Sequence, residues 1–308
     1  MHPPMSYSEK TMKDSAVLLI DCPDQRGLVS RVSSLLYAQG ANILHADQHQ
    51  DHNLSLFFMR VEWALNGAAA SAANLPEPHT ARFDLEAFKV AFTPLAASLG
   101  MNWQLTVGTS RPRMALFCSQ YLHCMADLLH RWRTGELPCE IPVIVSNHRD
   151  VENLAAFYGV PFEHVPVTSS TRAEAEARQV ELLESYGVDF VVLARYMQIL
   201  SPDFVRRFPN SIINVHHSFL PAFTGAKPYH AAHARGVKLI GATSHYVTEI
   251  LDDGPIIEQD VARISHRDQV EDLVERGRDL ERIVLSRAVR WHLDRRILCY
   301  GNKTVIFD

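Results

Sequence analysis

From Met114 onward, short apolar runs alternate with longer amphipathic ones, and this rhythm limits the fold more than any other feature of the chain. Residues 114–118, 141–146, 164–167 and 190–194 read as strands, with helices over 121–132, 150–158 and 173–186 between them. Such alternation builds a mostly parallel α/β sheet covered on both faces. Ligands of these sheets bind beyond the carboxyl ends of the strands. Two further strands are expected over 211–214 and 242–248. A helix is expected over 267–293, with Val270, Leu273, Leu280, Ile283 and Val284 on one apolar face and a bend allowed at Gly277. Residues 297–300 and 303–307 read as a closing hairpin around Gly301-Asn302.

The preceding stretch has a different order. Residues 16–20 form an apolar strand, 21–27 a loop, and Leu28, Val32, Leu35 and Leu36 mark a helix closed by Gly40. Strands over 43–50 and 54–63 flank the turn Asp51-His52-Asn53, and 66–80 reads as a loop. Leu85, Phe88, Phe92 and Leu95 mark a second helix closed by Gly100, and 101–107 a last strand. This is the ferredoxin-like order βαββαβ. A length of 308 residues fits two domains. The expected boundaries are a tail over 1–13, a first domain over 14–107, a polar linker over 108–113 and a second domain over 114–308.

Composition removes several classes of function. The formal charge of −5, from 35 acidic against 30 basic residues, includes no basic block, so no nucleic-acid partner is expected. No apolar run approaches the roughly 18 residues of a membrane span, and residues 1–14 do not read as a signal peptide. Five scattered cysteines with no Cys-x-x-Cys pair fit reduced thiols in a cytoplasm. The turn after the first strand of the second domain, Ser119-Gln120-Tyr121-Leu122-His123-Cys124, has no glycine. A dinucleotide fingerprint or a Walker loop needs glycine there to bring backbone close to phosphate. His230-x-x-His233 has no nearby third ligand, so no metal is expected.

The chemistry concentrates in Asn214-Val215-His216-His217-Ser218-Phe219-Leu220-Pro221 and in Leu251-Asp252-Asp253-Gly254-Pro255. An amide can donate to a carbonyl oxygen, an imidazole can move protons, and a carboxylate can orient the imidazole and a water. Taken singly, Asn214 can serve a turn, a histidine can be structural, and Asp252-Asp253-Gly254-Pro255 is a good β-turn. His216 and His217 are adjacent, so on an extended segment only one points into a given site.

Asn-x-His-x-Ser-x-Leu-Pro followed by Leu-Asp-x-Gly-Pro resembles the formyl-transferase family that uses 10-formyltetrahydrofolate, over about residues 113–308. Asn214 to Phe223, Ala226-Lys227-Pro228-Tyr229-His230 and Gly241 to Val247 are most similar to its hydrolytic branch, in which an ACT domain precedes a Rossmann-like catalytic domain. The ACT resemblance covers about 14–107 and includes the turn Asp24 to Gly27. The resemblance implies that Asn214 bonds the formyl oxygen, His216 transfers protons, and Asp252 orients His216 and the attacking water. It implies that Arg195, Tyr196, Met197, Gln198, Ile199 and Leu200 receive the pterin, and that His245 lines the site. It further implies an amino-acid effector such as glycine or methionine near Asp24 and Gly27, a homodimer or homotetramer, and no cofactor, since the folate is the substrate. Ser119, His123 and Cys124 match the Ser-x-x-x-His-Cys pattern of the hydrolytic branch; Gln120 stands where those proteins often have lysine. Two other readings remain at this stage: transfer of the formyl group to an amine, and an amino-acid-binding protein that has lost catalysis.

Overall fold

The computed structural model describes residues 14–66, 82–108, 111–222 and 228–308. The expected tail over 1–13, most of the 66–80 loop, two linker residues and the motif residues 223–227 lie outside them. The chain forms two compact units. One comprises the described residues before Arg111 together with Arg295–Leu298 and Val305–Asp308; the other comprises Arg111–Asp294 and Cys299–Thr304.

In the first unit the elements are β1 (Ser15–Pro23), α1 (Leu28–Ala38), β2 (Asn42–Asp51), β3 (Leu56–Ala64), α2 (Leu85–Leu99) and β4 (Asn102–Val107). They form the expected βαββαβ order, with the strands side by side as β2-β3-β1-β4 and antiparallel. Ala16, Leu18 and Ile20 alternate along β1 and pack on Leu28, Val32 and Leu36 of α1 and on Phe88 and Phe92 of α2. Trp63 joins this layer, its ring 5.3 Å from that of Phe88. The expected loop over 21–27 is shorter than its polar sequence suggests. Asp21 and Cys22 continue β1 because they pair with Phe58 and Phe57. Gly27, at φ +87°, then makes the left-handed turn into α1. β2 is an edge strand and is exposed along nearly all its length.

The second unit runs β5 (Met114–Cys118), α3 (His123–Arg133), β6 (Ile144–Ser146), α4 (Glu152–Tyr158), β7 (Phe162–His164), α5 (Arg172–Ser185), β8 (Phe190–Leu193), α6 (Pro202–Arg207), β9 (Ile212–His216), α7 (Pro228–Arg235), β10 (Leu239–Tyr246), β11 (Ile256–Arg263) and α8 (Val270–Leu293). The sheet order is β11-β10-β9-β8-β5-β6-β7. β9, β8, β5, β6 and β7 are parallel, as expected, while β10 and β11 run antiparallel at one edge. β11 and α6 were not anticipated. Half the residues of Ile256–Arg263 are polar, and it is an edge strand with one neighbour. α6 is only six residues, started by Ser201 accepting from the Phe204 amide.

Through Gly277, where the sequence allows a bend, the helix runs as one element of 24 residues. Glycine stands there for a different reason: a Cβ on Gly277 would lie 2.1 Å from the Tyr229 hydroxyl oxygen. The glycine lets α7 approach α8. The closing hairpin is present as β12 (Ile297–Tyr300) and β13 (Lys303–Ile306).

Candidate active site

Asn214 and His216 are two residues apart on β9 and so share a face of the sheet. The antiparallel partner of Asn214 is His245 of β10, which brings a second imidazole to that face. β9 runs on past the end of β8, where Leu193 pairs with Asn214. His216 therefore stands beyond the carboxyl end of its parallel neighbour.

β10 leaves the sheet at Tyr246, opposite Ile213, so the following turn must double back to reach His216. Gly254 permits this. A Cβ at that position would lie 1.7 Å from the Tyr246 carbonyl oxygen, a distance no side chain tolerates. The Tyr246 amide donates to the Pro255 carbonyl at 2.9 Å and closes the turn. Asp252 sits at φ +55°, the left-handed region that aspartate enters more readily than most residues. Its Oδ2 lies 3.3 Å from His216 Nδ1.

The protons follow from what each atom can do. An ionised carboxylate only accepts, so His216 Nδ1 carries the hydrogen of this contact, and in the neutral ring the lone pair is then on Nε2. That Nε2 is buried and has no hydrogen-bond partner among the described residues. Asp252 is held below the ordinary carboxylate range, chiefly by the His216 hydrogen bond. His245 Nδ1 lies 2.9 Å from the Tyr246 carbonyl, which also only accepts. His245 Nε2 is then an acceptor, and the Asn214 amide donates to it at 3.2 Å. Burial lowers the pKa of His245 and favours this neutral form. Asp252 Oδ1 is 3.8 Å from His245 Nε2, too far for a hydrogen bond and with lone pairs on both sides. The result is an oriented amide with a second hydrogen to donate and an imidazole oriented by a carboxylate, on one face of the sheet.

His217 departs from the sequence expectation. β9 ends at His216, so the next ring is not sent to the opposite face. It stacks on His216 with ring centroids 4.9 Å apart and planes 22° apart. His217 Nδ1 lies 2.6 Å from Arg195 Nη1. Arg195 Nε is 3.5 Å from Glu281 Oε2, an ion-pair separation without an aligned hydrogen bond. Glu281 is buried in α8 and also contacts His123 Nε2 at 2.7 Å and the Tyr229 hydroxyl at 2.8 Å. Burial pushes the Glu281 carboxyl up, but the His123 hydrogen bond and the Arg195 charge outweigh it and hold the group below its usual range. His123, Cys124 and Glu281 are the one group of three metal-ligand types clustered among the described residues. Their chemistry suits a cation poorly. The carboxylate already faces an arginine, and burial raises the Cys124 thiol well above its ordinary pKa. His230 and His233 are both exposed on α7.

Sequence reasoning reached His123 through the Ser-x-x-x-His-Cys segment but did not join it to Glu281, 158 residues away. The available signal was an acid on the buried stripe Leu273, Gly277, Leu280, Val284 of α8.

The six residues expected around the pterin divide by environment. The Arg195 side chain turns to His217 and Glu281, and its cation lies 5.3 Å from the centre of the Tyr121 ring. Tyr196 is a core residue, its hydroxyl accepting from Gln179 and its ring edge-on to Phe117. Leu200 packs in the same core. Met197 and Ile199, at 52% and 54% exposure, and half-buried Gln198 remain at the surface. The Met197 amide donates to Ser119 Oγ, and Arg172 donates to the Ile199 carbonyl, fixing the loop that carries them. In the first unit, Asp24 accepts from Gln50 at 3.0 Å, and Gly27 begins α1.

A formyl transferase family model matches residues 112–289, and an ACT domain model matches residues 16–62. The fold and site thus define a formyl transferase domain preceded by an ACT domain. The chain is 51% identical to formyltetrahydrofolate deformylase of Synechocystis sp., over 95% of this chain and 98% of the relative. It is 48% identical to that of Bacillus subtilis, over 96% and 95%. The crystal structure of a formyltetrahydrofolate deformylase from Pseudomonas syringae superposes with a TM-score of 0.88 at 47% identity, covering 96% of this chain and 94% of that one. The chain belongs to the formyltetrahydrofolate deformylase family.

Proposed function

We propose that this protein hydrolyses 10-formyltetrahydrofolate to formate and tetrahydrofolate, with Asn214, His216 and Asp252 as its catalytic residues. The observation that carries the reading is the 3.3 Å contact between His216 Nδ1 and Asp252 Oδ2, which leaves the buried Nε2, unpartnered among the described residues, as the atom that takes a proton. Water attacks the formyl carbon as His216 Nε2 takes its proton, and Asp252 stabilises the imidazolium that forms. The free amide hydrogen of Asn214 donates to the oxyanion. Collapse breaks the bond from carbon to N10, and His216 returns the proton to the leaving nitrogen. Formic acid ionises to formate. The folate is the substrate, and no cofactor or metal enters these steps.

Met197, Gln198 and Ile199 supply the exposed, partly apolar surface for the pterin; the roles of Tyr196 and Leu200 are to support that loop from the core. The ACT unit binds an amino acid such as glycine or methionine by the turn that carries Asp24 and Gly27. It also mediates self-association to a dimer or tetramer, for which the exposed edge of β2 is available. The linker between the two functional domains falls at residues 108–113. All five cysteines are free thiols, in keeping with a cytoplasmic enzyme.

The test is to incubate the purified protein with 10-formyltetrahydrofolate and follow both products with no amine acceptor present. Stoichiometric formate and tetrahydrofolate are expected. Turnover that appears only on adding an amine would make the protein a transferase. Amino-acid binding with no turnover would make it a sensor.

A further inference from the structure

We propose that His217 is a positioning residue for His216: a neutral imidazole platform, its tautomer dictated by Arg195, on which the catalytic ring stacks. This rests on the reading of His216 as the proton-transferring group.

Arginine has only donors and stays protonated. A contact of 2.6 Å between Arg195 Nη1 and His217 Nδ1 therefore requires a lone pair on Nδ1. The His217 proton sits on Nε2, and a second proton could enter only by breaking the Arg195 contact. Arg195 is itself fixed in this pose. Its backbone is left-handed at φ +63°, a strained conformation for arginine that persists only where the surroundings impose it. Its head lies against Tyr121 and 3.5 Å from Glu281. Glu281 is in turn engaged by His123 and Tyr229.

The groups facing His217 come from every side: Arg195 from the loop after β8, His216 from β9, Tyr229 from α7 with its ring centre 6.2 Å away, Asp252 from the turn after β10, and Glu281 from α8. Burial, the Arg195 charge and His216 lower the His217 pKa to about 4, overcoming the two carboxylates. The ring thus remains uncharged at neutral pH. When His216 takes a proton from water, its imidazolium has Asp252 at one edge and a neutral π face alongside. A cation at position 217 would oppose that charge, and an empty position would let the His216 ring tilt away from the formyl carbon.

Long-range proton–nitrogen correlation spectra of the full chain, labelled with ¹⁵N-histidine, test the tautomer without reference to activity. Between pH 5 and 9 one ring should keep an unprotonated Nδ1 and a protonated Nε2. That pattern should vanish in His217→Gln, and in Arg195→Gln it should become pH-dependent. A His217 ring that carries a proton on Nδ1, or that titrates in this range in the unsubstituted protein, overturns the proposal.

Kinetics test the platform. His217→Ala should lower kcat at least tenfold with KM within twofold, and His217→Phe should recover most of the loss by restoring a flat neutral ring. Folded His217→Ala with unchanged kcat, or His217→Phe no better than the alanine variant, also overturns it. If His216→Ala releases formate at the normal rate, the catalytic reading itself falls. If His216→Ala is inactive while both His217 variants are fully active, only the platform falls. The spectrum of the unsubstituted protein remains decisive should a variant fail to fold.

Discussion

Asn214 has two amide hydrogens, and His245 accepts one of them. The direction of that bond is forced, because His245 Nδ1 must donate to the Tyr246 carbonyl. The amide is thereby held with its other hydrogen available to a developing oxyanion. Loss of one such donor costs about 3 kcal/mol of barrier, so Asn214→Ala should lower kcat by about two to three orders of magnitude. Near-normal formate release from the folded variant would remove Asn214 from the mechanism. The histidines also set a pH dependence of stability. His217 has a pKa near 4 in the folded chain against 6.5 ordinarily. As pH falls from 6.5 to 4, the unfolded chain gains a proton that the folded chain refuses, so stability drops across that window and not above it. The difference amounts to at most about 3 kcal/mol. His245, lowered by burial, acts in the same direction. Asp252 acts at lower pH: its contribution is complete above the ordinary carboxylate value of 3.8 and fades as pH falls through its depressed pKa. Melting temperatures from pH 7 to 4.5 should therefore fall further for the unsubstituted protein than for His217→Gln, and parallel curves would contradict the assignment.

Two glycines decide where functional elements lie. Gly254→Ala would force the turn after β10 away from the Tyr246 carbonyl and carry Asp252 with it. A displacement of about 1 Å at a catalytic group costs roughly a hundredfold, so kcat should fall by about that much while far-UV circular dichroism stays unchanged. Gly277→Ala reverses the usual helix rule. Alanine in mid-helix is ordinarily worth about 1 kcal/mol over glycine, but here its methyl would strike the Tyr229 ring and hydroxyl, between 2.1 and 2.6 Å away. Overpacking of this kind costs about 1–3 kcal/mol, and a lower melting temperature is expected. The reason for glycine at position 277 was not legible, because local propensity says nothing about a helix that arrives from residue 229. The same reasoning separates the rest of the site. Asn214 and His216 were legible as a pair, since period-two spacing on a strand end is a local property. Asp252 was placed by its motif, but the doubling-back that brings it to His216 depends on Gly254 meeting Tyr246. The cluster of His123, Arg195, His217, Tyr229 and Glu281 was not legible, because five elements contribute and no spacing connects them. β11 escaped because polar residues interrupt its sequence, as an edge strand with a single hydrogen-bonded neighbour tolerates.

At the scale of the molecule, both topologies were legible from the order of elements: βαββαβ first, then a parallel α/β sheet. Each follows from the alternation of periodicities, which survives even where individual ends shift by a few residues. The path of the last residues was not legible. A hairpin sequence fixes how its two strands pair but not which core receives them, and Arg295–Leu298 and Val305–Asp308 belong to the first compact unit. Arg60 Nε donates to the Arg295 carbonyl at 3.0 Å, and the Asp308 amide donates to Asp47 at 3.2 Å. Severing the backbone once, at residues 108–113, would therefore not yield two independent pieces. The downstream fragment would still contribute its last residues to the upstream fold, as a rope passed twice through the same ring holds after one strand is cut. Nicked protein should elute from gel filtration at the position of the intact chain, and its fragments should part only when denaturant is added.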